Sequence, residues 1–184
     1  MAFDFKNSSK GSLKREYDKI AREIGDDQFF TKKELDHLPN VLQDGEQVLA
    51  FTSGLMNANT WLITLTDRRV IFLDKGMFIG LKQEIVNLNK INAVSCSTGF
   101  IFGKIIITDG AKERIISNVQ KKTVVNFTNK VQSAIENFNN FNFQATDNLN
   151  DDIYVKLEKL DSLRQKNIIS DEEFDQEKRK LLGN

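Results

Sequence analysis

Leu62-Ile63-Thr64-Leu65-Thr66-Asp67-Arg68-Arg69-Val70-Ile71-Phe72 reads as two apolar, β-branched runs parted by a short charged turn. No helix-length segment lies between the runs, so the pair reads as antiparallel strands joined directly. The strand cores fall at Thr60–Thr66 and Arg69–Asp74, with the turn at Asp67–Arg68. Arg68 and Arg69 then read as part of a polar hairpin tip in which Asp67 supplies a salt bridge or a cap.

The same texture extends both ways, from Glu46 to about Ser117. Further strand cores are expected at Gln47–Ser53, Leu81–Asn87, Ala93–Thr98, Lys104–Thr108 and Glu113–Ser117. Turns are expected at Gly54–Asn59, Lys75–Gly80, Asn89–Asn92, Gly99–Gly103 and Asp109–Gly110. Asp-Gly suits a type I′ turn, whose two central residues both need positive φ. Seven short strands with no helices between them predict an antiparallel barrel or sandwich rather than a parallel sheet.

Helical spacing brackets this β region. Leu13, Tyr17, Ile20 and Ile24 form one stripe, and Gly25 suits the left-handed residue after it. Thr31 and Glu34 predict a capping box for a second short helix, which Pro39 stops. After the strands, Val124, Phe127, Val131, Ile135 and Phe138 form another stripe, with Asn118 as the expected N-cap. That helix is expected to lie over one opening of the barrel. Residues 140–151 are Asn-rich without helical period and read as a linker. Residues 152–184 read as a helical hairpin, with Leu157, Leu160 and Leu163 on one helix and Phe174, Leu181 and Leu182 on the other. Ser170 and Glu173 predict a capping box there, with Ile169 and Phe174 at the staple positions. A piece of this size cannot bury its apolar faces alone, so these leucines, Ile169 and Phe174 are expected to dock on something.

Two stretches resemble known families. Leu62–Phe72, Glu84-Ile85-Val86, Ile91–Val94 and Gly99–Ile105 resemble the bacterial pleckstrin-homology-like (PH-like) domains of the YokE-like group, in which a strand ends in Thr-Asp-x-Arg and the next follows at once. Leu157–Leu160, Asn167-Ile168-Ile169-Ser170, Asp171–Phe174 and Lys180-Leu181-Leu182 resemble the short C-terminal domain known as SHOCT, with Asn167 where that family usually has Gly. The resemblance implies an α+β organisation: a seven-stranded antiparallel PH-like barrel or sandwich at 42–139, capped by a helix. An N-terminal helical segment at 1–41 precedes it, and the linker and hairpin follow. It also implies a bacterial or prophage protein.

The residues point away from catalysis. Of 184 residues, one is histidine, His37, and one cysteine, Cys96. Two such residues cannot make a four-ligand zinc site. His37 is expected to be an ordinary surface or packing residue, and Cys96 a buried, inert thiol. The glycine-spaced loops lack the Lys-Ser/Thr ending of a nucleotide loop. No enzyme activity and no cofactor are expected. Lys+Arg and Asp+Glu are equal at 26 each, so bulk charge does not recruit nucleic acid, and nucleic acid is not an expected partner. The run Lys178–Lys180 follows an acidic first turn and reads as helix-dipole complement. No signal peptide or membrane span is read, which makes the cytoplasm the expected compartment.

Binding is the expected class. Eukaryotic PH domains that hold inositol phosphates use basic residues in and around their first hairpin loop. Here Gly54–Asn59 contains neither Lys nor Arg. Met77-Phe78-Ile79 and Phe100-Ile101-Phe102 instead place six large apolar residues in predicted turns. They are the expected interaction surface. The PH-like part is expected to bind protein, foremost a second copy of itself, with the hairpin aiding oligomerisation. A peripheral membrane or lipid-binding role is the alternative.

Overall fold

The computed structural model describes residues 2–26, 31–76, 80–110, 112–166 and 168–182, with side chains left out over 142–153. The chain forms two compact units, Met1–Phe138 and Asn139–Asn184.

The first unit opens with α1 (Lys10–Ile24) and α2 (Lys32–His37). Seven strands follow: β1 (Val48–Met56), β2 (Asn59–Thr66), β3 (Arg69–Lys75), β4 (Leu81–Asn87), β5 (Ala93–Thr98), β6 (Phe102–Asp109) and β7 (Lys112–Gln120). They make an antiparallel sheet in the order β4-β3-β2-β1-β7-β6-β5. Its two halves, β1–β4 and β5–β7, meet where Leu55 pairs with Ser117, and the Ser117 hydroxyl donates to the Leu55 carbonyl at 3.2 Å. Gly54 lies within β1 rather than in a turn. A Cβ there would overlap Ile116 and come within 3.0 Å of the Ser117 carbonyl, so the glycine lets the two halves close up. The turn is the pair Asn57-Ala58, both at positive φ (52° and 64°). The next helix, α3 (Lys121–Gln165), starts directly after β7.

Two hydrophobic clusters hold this unit. One lies inside the curved sheet: Trp61, Ile63, Leu65, Phe72, Ile105, Ile107 and Ile116 pack with Val124, Phe127 and Val131 of α3. The stripe expected on this helix therefore faces the core, with Ile135 and Phe138 at its margin. The Trp61 indole donates to the Met56 carbonyl at 3.0 Å. The second cluster lies on the outer face of β1–β3, where Leu13, Tyr17 and Ile20 of α1 and Leu35 of α2 cover Phe51, Leu62, Ile71 and Leu73. Burial on both faces explains why β2 and β3 read as nearly unbroken apolar runs.

The helices are fastened by polar side chains. Gly25 takes the left-handed conformation (φ 84°) and ends α1 as expected. Thr123 and Asn126 of α3 donate to the Gly25 and Ile24 carbonyls at 2.8 and 3.3 Å, which satisfies the end of α1. Asp26 accepts from the Thr52 hydroxyl and the Ser53 N–H at 3.1 and 3.0 Å. The expected Thr31–Glu34 capping box does not form: Thr31 makes no cap hydrogen bond. Its hydroxyl pairs with Ser53, and Glu34 accepts from the Lys75 N–H at 2.9 Å. Both side chains serve the docking of α2 instead.

Three other expectations shift. Asn118 is a β7 residue at positive φ (55°) rather than an N-cap. Asp109 pairs with Lys112 and closes β6, leaving Gly110 (φ 55°) as the only member of the expected turn pair at positive φ. Helical backbone also runs through residues 140–151, where an irregular linker was expected. Asn is a poor helix former but not a breaker, and α3 contains no Gly or Pro to stop it.

In the second unit α4 (Asp171–Leu182) follows α3. The capping box at its start forms in both directions. The Ser170 N–H donates to the Glu173 carboxylate at 2.9 Å, and the Glu173 N–H to the Ser170 hydroxyl at 3.2 Å. Asn167 lies outside the described residues.

Candidate interaction surfaces

The hairpin joining β5 to β6 is tight. The Gly99 N–H donates to the Phe102 carbonyl at 2.8 Å, which leaves Phe100 and Ile101 as its two loop residues. A Cβ on Gly103 would overlap the Ser97 carbonyl and approach Val124 to 2.9 Å, so this glycine keeps strand and helix in contact. With the backbone turned so sharply, the loop side chains point outward: Phe100 is 94% exposed, Ile101 62% and Phe102 49%. Phe102 also lines a shallow groove at the β1–β7 seam with Ser53, Leu55, Thr60 and Asn118. The expected partners of this triplet, Met77, Phe78 and Ile79, lie outside the described residues.

The second surface is on the helical hairpin. Leu157, Leu160, Leu163, Ile169, Phe174 and Leu181 are all partly buried, and Leu182 is exposed. No described residue of α4 is fully buried within the hairpin. Leu160, Leu163 and Leu181 share one open groove with the stems of Lys156 and Lys159. Phe174 sits under the Arg164 guanidinium, 4.6 Å from its ring centre.

The residues singled out for chemistry are placed otherwise. Cys96 is exposed, not buried. It stands opposite Ile105, but β5 is the sheet edge and all its residues but Val94 lie open. His37 is half-exposed at the end of α2. Among the described residues, no group of three or more His, Cys, Asp or Glu could hold a metal ion, and no helix is long and apolar enough to cross a membrane.

Arg68 belongs to a polar hairpin tip as expected. It approaches Asp67 at 4.0 Å and donates to the Gln43 side chain and the Asp44 carbonyl at 3.2 Å. Arg69 does something the sequence reading missed. Its side chain is buried and bonds the fully buried Glu46 carboxylate through Nε and a terminal nitrogen, both at 2.8 Å. Thr66 donates to the same carboxylate at 2.8 Å, and so does the Gln43 N–H at 2.8 Å. Burial pushes the Glu46 carboxyl up, but these donors outweigh it and leave it below the usual glutamate value. At the β4 edge, Glu84 is likewise held low, first by Lys112 at 2.7 Å, against burial, and with Arg114 at 3.0 Å adding to it. These are structural ion pairs.

Residues 42–133 match the family model described as the bacterial PH domain, and residues 156–182 match that of the short C-terminal domain. No curated protein matches the chain. Among solved structures, a duf1696-family protein with a pleckstrin-homology domain from Shewanella loihica shares 19% identity at a TM-score of 0.35, over 66% of this chain and 95% of that one. A pleckstrin homology domain from Shewanella amazonensis shares 17% identity at a TM-score of 0.34, over 47% of this chain and 80% of that one.

Proposed function

The chain belongs to the bacterial PH domain family and carries a short C-terminal domain behind it, and from that premise we propose a non-enzymatic interaction and assembly module. The tail hairpin brings copies together, and the PH-like domain presents a contact surface at its β5–β6 end. The observation that carries the assembly reading is the tail's apolar stripe. Leu157, Leu160, Leu163, Phe174 and Leu181 stay partly exposed within their own unit, and a stripe of this kind gains by pairing with another. A homo-oligomer supplies an identical stripe at no extra design cost.

The test is sedimentation of the full chain carrying Leu160→Asp with Leu181→Asp. The parent is expected to run as a multiple of the 21.1-kDa chain and the variant as a single chain. Unchanged mass in the variant counts against the tail as the assembly element.

A further inference from the structure

The β5–β6 end of the PH-like domain combines two features that its fold does not require. The first is the apolar tip. Two-residue hairpin loops favour Asn-Gly, Asp-Gly or similar polar pairs, yet Phe100 and Ile101 occupy this one at 94% and 62% exposure. The second is a group of lysines beside it. Lys104 follows Phe102 by two residues and pairs with Ser97 across the hairpin. The Lys121 N–H donates to the Ile101 carbonyl at 3.2 Å, and Lys122 is next in the chain. All three side chains are exposed, and among the described residues none has an ion-pair partner.

The dipole of α3 does not account for Lys121 and Lys122, although Lys122 also lies beside Gly25 at the negative end of α1. They open α3 and so sit at the positive end of its dipole, where acidic residues are favoured and cations are not. The first turn holds no acid at all. The carboxylate of Asp26, at the same end of the domain, is engaged by Thr52 and Ser53. The exposed apolar tip is three residues, Phe100 to Phe102, against the roughly 20–30 residues a side of a standard protein interface. An apolar tip with neighbouring cations instead matches the layering of a bilayer surface. Apolar side chains enter the boundary of headgroups and acyl chains, while cations stay among the phosphates.

We propose that this end docks on an anionic lipid bilayer, Phe100 and Ile101 entering the interface and Lys104, Lys121 and Lys122 meeting the lipid phosphates. The inference takes its location from the contact surface assigned above and names the partner of that surface. One tip binds weakly; an assembly that presents several tips to one membrane binds far more tightly through effective concentration.

The test is co-sedimentation of the full chain with phosphatidylcholine vesicles, with and without phosphatidylserine, at low and high salt. Binding is expected only with phosphatidylserine and is released by salt. Phe100→Ser with Ile101→Ser is expected to weaken it about tenfold. Lys104→Gln, Lys121→Gln and Lys122→Gln together are expected to weaken it roughly a hundredfold. Both variants keep the parent's mass by light scattering and its urea midpoint. The proposal is overturned if the parent ignores phosphatidylserine, or if neither variant reduces binding. It is equally overturned if the Phe100/Ile101 variant lowers the oligomer mass, which would give the tip to a second copy. Vesicle binding that persists while the chain proves monomeric contradicts the assembly reading alone.

Discussion

Glu46 and Arg69 are 23 residues apart in the chain and 2.8 Å apart in the fold. A buried pair of this kind is costly to halve, because the remaining charge loses its partner without regaining water. Glu46→Gln is therefore expected to destabilise the first unit by about 3 kcal/mol, measured by urea unfolding. The acid response follows from the same geometry. Glu46 and Glu84 both titrate below the usual 4.5 when folded. The folded state then binds fewer protons than the unfolded chain, so the contribution to stability is full above pH 4.5 and is lost as pH falls through the lowered folded values. The thermal midpoint of the parent is expected to drop across that window, and that of Glu46→Gln to drop less. Local spacing made the Ser170–Glu173 capping box readable, since both partners sit within one turn. No such spacing advertises Glu46. Arg69 looked like half of a polar turn because its partner lies before the two preceding strands, β1 and β2.

At the scale of elements, strand and helix periodicity carried the reading from Gln47 to Phe138. The exceptions lie where tertiary contact overrides a local signal. Gly54 carries a turn signature, yet it sits in β1 because β7 approaches too closely for a side chain. Gly54→Ala is expected to cost roughly 2 kcal/mol by forcing Ile116 and the Ser117 backbone aside, checked by comparing urea midpoints. Cys96 was expected in the core because free cysteines are often buried, but the strand that carries it proved to be the edge. Residues 140–151 lack helical period, and their helical state reflects the absence of a stop signal rather than an apolar face.

For the whole molecule, the seven-strand count and the helix closing the sheet were legible from alternation and turn spacing. The placement of α1 and α2 was not, although one trace of it existed. The runs Leu62–Leu65 and Val70–Leu73 contain too little polar relief for strands with one wet face; the outer face they needed covered is the one α1 and α2 take. The apolar tip at Phe100–Phe102 was visible in the sequence as large side chains in a turn. Lys104 was visible two residues beyond it, but Lys121 and Lys122 were not, because Lys121 reaches the loop only through the pairing of β6 with β7. The account makes the tail the seat of assembly and the β5–β6 end the seat of contact. Light scattering on the full chain, and on a chain stopped after Asn148, tests that division most directly. The account predicts a multiple of 21.1 kDa for the full chain and a single chain for the shortened one. Two monomers would contradict it, and so would an oligomer that survives loss of the tail.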